Sequence, residues 1–401
     1  MNNRRNYKTM LINYEIENIN SKLVKIRWDF HRIPELSFEE EKTSQKIAGI
    51  LREIGIDEIQ TGVARTGVVG LIRGRNPGKT IAIRADIDAL PIQEENDVSY
   101  KSQNDGVMHA CGHDVHITTA LGTAMIINRK KDELYGNVKF IFQPAEEVAG
   151  GGKMMVEEGA LENPEVDMIM ALHVWPGLDE GKIGVRSGPS MASMDKFEIT
   201  VKGPGGHGAL PHLTSDTIVA SAQIINILQT VTSRSIEPIQ PVVFSVCMIN
   251  GGDAFNIIPE EVKLTGTART LDDEVKTKSI KRVKEILNGI SKAMNVKCIF
   301  NYLDGCPVLI NNPEVVEIIE DAAVQVVGSK NVVEVKPTMG GEDFTYFTRK
   351  VPGAMFFLGV KNKSSGMTSS VHTATFDVNP GVLTIGTSIL TQAIFNCLNM
   401  Q

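Results

Sequence analysis

The chain has 401 residues, which is more than one hydrophobic core usually serves and predicts two or three domains. Its composition is 42% hydrophobic, 22% charged and 5% aromatic, as in ordinary globular proteins, and excludes collagen-like, coiled-coil and disordered chains. The formal net charge of −7 argues against binding to nucleic acid or anionic lipid and favours a small-molecule substrate.

Between about residues 15 and 186, amphipathic stretches alternate with short apolar runs. Apolar residues at helical spacing predict helices over residues 39–54 and 117–129. Apolar runs at 81–83, 138–142 and 168–172 predict strands. Strands that alternate with helices indicate the α/β class, in which a mostly parallel sheet is flanked by helices.

Between about residues 191 and 306 the predicted order changes to strand, helix, strand, strand, helix, strand, which is typical of a ferredoxin-like α+β domain. These elements are strand 197–201, helix 216–233, strands 242–247 and 262–268, helix 272–294 and strand 296–302. After Pro307 the first pattern resumes, with a helix at 314–327 and a strand at 354–358. We therefore predict a discontinuous domain, residues 1–188 and 307–401, with an insertion at residues 189–306.

The sequence predicts neither a membrane span nor a secretion signal. No stretch approaches the ~18 consecutive apolar residues of a membrane helix. The basic residues at the start are not followed by the uninterrupted apolar segment of a secretion signal. The five cysteines are scattered and do not suit a disulfide framework. We expect a cytoplasmic protein.

Polar residues follow each predicted strand of the first domain. Arg84, Asp86 and Asp88 follow the first strand, residues 143–147 follow the second, and His173 follows the third. In open α/β sheets, ligands bind at the carboxyl ends of the strands. We therefore expect these side chains to form a site.

The densest motif places one thiol and three imidazoles in the eight residues 109–116. Thiolate, imidazole and carboxylate are the ligands of zinc and neighbouring metals, and one intervening residue lets Cys111 and His113 reach one ion. Glu146 and Glu147 suit two different roles, one carboxylate binding a metal and its neighbour taking a proton from an activated water. His173 and His372 are further candidate ligands.

The insertion carries its own polar groups near glycines. Arg269 offers two parallel hydrogen bonds to a carboxylate, and Asn256 can assist it. His207 can donate a hydrogen bond to an oxyanion. The glycine-bearing loop at 339–344, with Gly340 and Gly341, suits backbone contact with a ligand.

Taken together, these motifs resemble those of the two-metal aminoacylase and carboxypeptidase superfamily. Within it, the chain is most similar to the branch of N-acyl-amino-acid amidohydrolases, hippurate hydrolases and indole-acetyl-amino-acid hydrolases. The motifs that carry the resemblance are residues 84–91, 109–116, 143–147, 173, 205–212, 256–259, 340–344 and 372.

The resemblance implies a role for particular residues. The implied metal ligands are Cys111, His113, Glu147, His173 and His372, with Cys111 in the place of a bridging aspartate of related peptidases. Glu146 is the implied general base, and Asp86 the acid that orients a ligand. His207 is implied to reach the active site of a partner subunit, while Asn256 and Arg269 lie near the substrate carboxylate. The insertion is implied to be a lid and dimerisation domain.

One position departs from the related peptidases: Arg84 stands where many of them have a metal-ligating histidine. This favours the amidohydrolase branch. Nearby Asp88, Asp114, His109, His116 and His212 are expected to support the site rather than to bind the metal. The expected cofactor is one or two divalent ions, zinc first, with manganese, nickel or cobalt as alternatives.

The sequence therefore predicts hydrolysis of N-acyl amino acids to a free amino acid and a carboxylate, by a homodimer or homotetramer. A metal-dependent carboxypeptidase or dipeptidase is the alternative within the same superfamily. A thiol amidase with Cys111 as nucleophile and His113 or His116 as base, and a non-enzymatic amino-acid-binding protein, are the alternatives outside it.

Overall fold

The structure is a computed structural model that describes residues 12–56 and 58–398. The chain divides into two compact units. The larger unit takes in the described residues of Met1–Gly188, Ile310–Lys336 and Asp343–Gln401, and the smaller unit comprises Pro189–Leu309 and Pro337–Glu342. Segment 337–342 therefore belongs with the insertion, whereas the sequence analysis placed it in the first domain.

The strands, in chain order, are β1 (Glu58–Val63), β2 (Gly67–Arg73), β3 (Asn76–Asp86), β4 (Tyr135–Gln143), β5 (Met168–Asp179), β6 (Ile183–Val185), β7 (Gly188–Met191), β8 (Met194–Lys202), β9 (Gly206–His207), β10 (Val242–Asn250), β11 (Ile257–Ile258), β12 (Glu261–Thr270), β13 (Lys297–Cys306), β14 (Leu309–Asn311), β15 (Val332–Glu334) and β16 (Gly353–Lys361). The main α-helices are α1 (Asn20–His31), α2 (Glu41–Glu53), α3 (His113–Arg129), α4 (Gly151–Glu157), α5 (Thr217–Thr230), α6 (Asp273–Met294), α7 (Pro313–Val327), α8 (Thr345–Thr348) and α9 (Gly381–Cys397).

The larger unit is of the predicted α/β class and contains an eight-stranded sheet in the order β1-β2-β4-β3-β5-β16-β6-β15. Its four central strands, β4, β3, β5 and β16, are parallel. Antiparallel pairings occur towards both edges, between β1 and β2, β2 and β4, and β16 and β6. The sheet is therefore mixed, but four of its seven strand pairings, including that of β6 with β15, are parallel. One cause of the mixed pairing is a hairpin, β1–β2, which the sequence analysis did not assign and which turns back through Ala64 and Arg65 at positive φ.

The core of the larger unit surrounds α3, in which every residue from His113 to Ile127 is buried. A helix that is buried on all sides has neighbours on all sides, and the last five residues of β3 and β4 are buried as well. The helix predicted over residues 117–129 begins at His113, so this histidine occupies its first position. Polar groups at this end of the sheet are consequently shielded from solvent.

The smaller unit has a four-stranded antiparallel sheet in the order β10-β12-β8-β13. Its larger elements follow the predicted order β8, α5, β10, β12, α6, β13. β8 alternates between buried and less buried residues, as expected for a strand with one face on a core. A two-stranded ribbon pairs His207 in β9 with Ile257 in β11. Among the described helices of both units, none has the length and apolar character needed to cross a membrane.

Candidate metal centre

The predicted site residues of the larger unit gather at one end of the central strands of its sheet. β4, β3 and β5 are adjacent and parallel. At this end of the sheet they carry Gln143, Asp86 and His173, all of which are buried. Glu146 lies three residues beyond β4, after Ala145, whose φ of +52° is uncommon for a residue with a side chain.

A glycine shapes the loop that holds two of the predicted ligands. Gly112, between Cys111 and His113, has a φ of +80° and caps the start of α3. A Cβ atom at this position would lie only 2.6 Å from Cγ2 of Val174, the residue after His173. Glycine alone satisfies both conditions, so the loop can lie directly against β5.

Cys111, His113 and His173 form a first group of donors, whose ligand atoms lie within 4.8 Å of one another. The sulfur of Cys111 is 3.5 Å from Nε2 of His173. Nδ1 of His173 donates to the carbonyl of Val174 at 2.7 Å, and Nδ1 of His113 donates to the carbonyl of Asp88 at 2.9 Å. These bonds leave Nε2 of both rings as the atom that can bind a metal.

Cys111, Glu147 and His372 form a second group within the same 4.8 Å limit. Oε1 of Glu147 lies 3.5 Å from Nε2 of His372 and 3.8 Å from Nε2 of His113. Among the described residues, neither Oε1 of Glu147 nor Nε2 of His113 has a hydrogen-bond partner, although both atoms are buried. Burying such atoms without a partner is costly, and a cation between the two groups would satisfy them.

Cys111 belongs to both groups, so its sulfur lies within 4.8 Å of the ligand atoms of each. Burial raises the pKa of the Cys111 thiol, and the carboxylates of Glu147 and Glu146 raise it further. Burial lowers the pKa of His113, but Asp86 and other carboxylates outweigh it and raise the pKa to about 10. The excess of negative groups at this end of the sheet therefore favours a cation, and thiolate, imidazole and carboxylate together suit zinc and its neighbours.

His116 stands beside these groups but has both ring nitrogens engaged. Its Nδ1 donates to Oδ1 of Asp86, and its Nε2 accepts the backbone N–H of Val174 at 3.0 Å. Burial lowers the pKa of His116 to about 4, so the ring is neutral. Although Asp86, His113 and His116 also lie close enough to hold an ion, the hydrogen bonds of His116 assign it a supporting role.

Two aspartates contact the histidines of the site, Asp86, which the resemblance implied to orient a metal ligand, and Asp88. Asp86 holds His116, whereas Asp88 contacts Nδ1 of His113 through both its carbonyl and Oδ1, at 2.9 and 3.1 Å. The other carboxylate oxygen of Asp88 accepts hydrogen bonds from Ser37 and from the backbone of Glu147. Sequence spacing gave no means of choosing between two aspartates that are two positions apart.

Arg84 is buried and committed to hydrogen bonds. It donates to Asp86 at 2.7 Å, to Gln143 at 2.8 Å and to Asp343 at 3.2 Å. A guanidinium has no lone pair for a metal, and here it compensates buried carboxylates. Its partners Gln143 and Asp343 were not predicted from the sequence. The available signal was an arginine inside an apolar strand, which requires buried acceptors.

Glu146 is 7% exposed and lies beside both donor groups, with His113 and Glu147 in one cluster. The structure thus brings together all six residues of the larger unit for which the motifs implied metal binding or general base catalysis. These residues are Cys111, His113, Glu146, Glu147, His173 and His372.

The remaining predicted residues lie in the smaller unit. Nη1 of Arg269 is buried and has no hydrogen-bond partner among the described residues. Gly341 is its neighbour, because a Cβ atom on Gly341 would lie 3.5 Å from that nitrogen. His207 and Asn256 are exposed on the β9–β11 ribbon, where the N–H of Gly208 donates to the carbonyl of Asn256 at 2.8 Å.

Comparison with known proteins identifies the family. The model of peptidase family M20/M25/M40 matches residues 82–396. Thermostable carboxypeptidase 2 of Saccharolobus solfataricus is 41% identical over 377 residues, which cover 93% of this chain and 94% of that protein. N-acetylcysteine deacetylase of Bacillus subtilis is 38% identical over 365 residues, 91% of this chain and 94% of that protein.

A solved structure agrees with these relatives. The crystal structure of a Bacillus subtilis protein, named as a dinuclear metal binding peptidase from the M20 family, is 35% identical and has a TM-score of 0.84. The match covers 96% of this chain and 99% of the Bacillus subtilis chain. The superfamily inferred from the motifs is confirmed: the chain belongs to peptidase family M20/M25/M40 and is a hydrolytic enzyme.

Proposed function

We propose that this protein binds two divalent metal ions and hydrolyses the amide bond of N-acyl amino acids, releasing a free amino acid and a carboxylate such as acetate or benzoate. The observation that carries the proposal is the sharing of Cys111 by two groups of donors, with the carboxylate of Glu146 beside them. The similarity to a protein named N-acetylcysteine deacetylase supports the amide substrate.

His113 and His173 would hold one ion, Glu147 and His372 the other, and Cys111 would contact both. When bound, such ions polarise an acyl carbonyl and lower the pKa of water in the site. Zinc suits the thiolate and imidazole donors best, with manganese, nickel and cobalt as alternatives.

Glu146 takes the proton of the attacking water as the new C–O bond forms. It then delivers that proton to the amine nitrogen as the C–N bond breaks. Its near-complete burial beside the donors supports this role, because water would otherwise compete for the proton.

Arg269 binds the free carboxylate of the substrate. Its buried Nη1 without a partner supports this assignment, and the absence of a side chain on Gly341 leaves room beside that nitrogen. We assign backbone contacts with the substrate to Gly340 and Gly341, assistance at the carboxylate to Asn256, and stabilisation of the oxyanion to His207.

The smaller unit is proposed to be a lid and a dimerisation domain. β10 is an edge strand of nine residues, VVFSVCMIN, that contains no charged side chain. Edge strands usually carry charges or prolines that prevent pairing with another chain. Pairing of β10 with β10 of a second copy would cover this edge, giving a homodimer or, with a further interface, a homotetramer. The cytoplasmic location predicted above is part of the proposal, and the absence of disulfides among the five cysteines is consistent with it.

The test is amine release by metal-loaded protein from N-acetyl amino acids, hippurate and dipeptides, with and without a chelator. We expect chelator-sensitive release from the acylated amino acids and its recovery when metal is restored. Activity confined to dipeptides would instead support a peptidase, the candidate favoured by the similarity to a thermostable carboxypeptidase.

Two other outcomes would contradict the proposal. Activity that resists the chelator would point to Cys111 as a nucleophile, a role that its 6% exposure and raised pKa disfavour. Substrate binding without turnover would point to a binding protein.

A further inference from the structure

A buried arginine of α1 bridges two of the segments that carry candidate metal donors. Arg27 is 1% exposed. Its Nε donates to Oδ2 of Asp114 at 2.8 Å, its Nη2 to Oδ1 of Asp377 at 2.7 Å, and its Nη1 to the carbonyl of Val378 at 3.3 Å. One side chain therefore bridges two carboxylates that are far apart in the sequence.

The first carboxylate belongs to the start of α3. Asp114 directly follows His113 and accepts a second hydrogen bond, at 2.8 Å, from Nδ1 of His31. His31 in turn contacts Glu94 at 3.2 Å. All these side chains are buried, so this end of the bridge is firmly held.

The second carboxylate belongs to the segment that follows His372. Oδ2 of Asp377 accepts a hydrogen bond of 2.7 Å from the hydroxyl of Tyr100. The carbonyl of Ala374 accepts the backbone N–H of Glu95 at 2.9 Å. Contacts with residues 95–100 and with Arg27 therefore hold this segment, together with the burial of Phe376 and Val378 in the core.

The position of the His372 side chain depends on the backbone of this segment, whereas hydrogen bonds to the ring help to position His113 and His173. The rings of His113 and His173 are each held by a carbonyl oxygen. Among the described residues, no hydrogen bond reaches the ring of His372, which is 51% exposed and lies 3.5 Å from Glu147. Its backbone, at a φ of +62°, is held by a hydrogen bond of 2.8 Å to the carbonyl of Ala110.

We propose that Arg27 is a positioning residue that fixes the His372 segment relative to α3 and thereby sets the distance between the two metal positions. This inference rests on the proposed function, because it requires two ions. It predicts an asymmetry: removal of Arg27 weakens the ion held by Glu147 and His372 and spares the ion held by His113 and His173. Loss of a residue that orients a metal ligand typically weakens metal affinity by about 10- to 100-fold.

The experiment compares the wild-type protein with Arg27→Met and Arg27→Lys. Zinc stoichiometry and the two dissociation constants are measured by competition with a chromophoric chelator, and the visible spectrum of the cobalt-loaded protein reports the ligand geometry. We expect two tight ions in the wild type, and one tight ion and one bound about 10- to 100-fold more weakly in Arg27→Met. Arg27→Lys should be intermediate, because an ammonium retains the charge but not the planar set of donors.

Ile26→Ala is the matched control, since Ile26 is also buried on the same helix, and side chains at successive helical positions do not face each other. It should lower the melting temperature and leave both dissociation constants unchanged. If Arg27→Met fails to fold, Tyr100→Phe removes one hydrogen bond from Asp377 and should weaken the second ion several-fold.

The outcomes separate the two proposals. A wild-type protein that binds no metal would contradict the proposed function itself. A wild type with two ions and an Arg27→Met variant with both affinities intact would overturn only the role of Arg27. Equal loss of the second ion in Ile26→Ala would also overturn it, because the cause would then be the stability of α1.

Discussion

The candidate site residues of the two units differ in burial and in the hydrogen bonds that the rest of the chain makes to them. At the candidate metal centre of the larger unit, Asp86 and His116 are buried and hydrogen-bonded to each other. In the smaller unit, His207 and Asn256 are exposed, and their neighbour Phe255 is fully exposed. The first pair is therefore held by the surrounding protein, whereas the side chains of the second pair remain accessible to a binding partner, although Nδ1 of His207 accepts the N–H of Ala209 at 3.0 Å. The proposed catalytic groups and the proposed recognition groups thus differ in how strongly they are buried.

The sharpest test of this comparison is Glu146→Gln, which removes the proposed base. We expect kcat to fall by about 10²- to 10⁴-fold, because the amide cannot accept the proton of the attacking water. Zinc content and melting temperature should not change. Glu157→Gln, an exposed residue of α4, is the control and should retain full activity. Normal turnover by Glu146→Gln would exclude this glutamate as the base.

The second test compares buried carboxylates of the two units by their free energies of unfolding in urea. Asp114→Asn deprives Arg27 of one of its two buried carboxylates, and we expect a loss of about 3 kcal/mol. Asp195→Asn, in β8, should cost less, because its partner Lys276 keeps Asp304 at 2.6 Å and is 16% exposed. An equal or larger loss in Asp195→Asn would contradict the view that the larger unit depends more on its buried polar groups.

A third variant, Arg269→Ala, tests recognition. We expect KM for N-acetyl amino acids to rise about 10- to 100-fold, since hydrogen bonds to charged groups contribute roughly 1.5–3 kcal/mol. Substrates whose free carboxylate is replaced by an amide should be unaffected. Lys263→Ala, an exposed residue of the same strand, serves as the control. An equal rise in KM for both kinds of substrate would assign Arg269 to another task.

The smallest effect on stability is expected for Cys247→Lys on the uncharged edge of β10. Cys247 is exposed, so the free energy of unfolding of the subunit should change by no more than about 0.5 kcal/mol. The added charge should nevertheless prevent pairing of two edges, so sedimentation should show monomers in place of dimers. Asn301→Lys on β13, the opposite edge strand, should leave the dimer intact. A dimer that survives Cys247→Lys would place the interface elsewhere.

Sequence periodicity predicted the α/β class and the central strands, because residues buried on both faces of a sheet leave apolar runs that a single chain displays. It also located Glu147 and His173, because these residues follow the apolar runs, whereas Cys111 and His113 were found from the density of donors at residues 109–116. Sequence periodicity predicted neither the β1–β2 hairpin nor the membership of Gly340 and Gly341 in the smaller unit. That membership depends on the backbone N–H of Ala192, which donates to the carbonyls of Thr338 and Gly340, a contact between distant parts of the chain.

The supporting contacts of the site could not be predicted for a related reason. Whether Asp86 or Asp88 holds His113, and whether His116 is a ligand, depends on which ring nitrogen faces which acceptor. Such choices are made by side-chain geometry within a few ångströms, and spacing along the chain does not encode them. Arg27 was overlooked altogether, since its two carboxylates are 87 and 350 positions away.

The contact between Gly112 and Val174 restricts how this enzyme can change through mutation. Any side chain at position 112 would meet both an unfavourable φ and a collision at 2.6 Å with the strand that carries His173. A smaller residue in place of Val174 would relieve the collision but not the unfavourable φ, so Gly112 should persist even where β5 changes. Engineering a new metal preference should accordingly exchange the donors themselves, with Cys111 first, and leave the loop backbone unaltered.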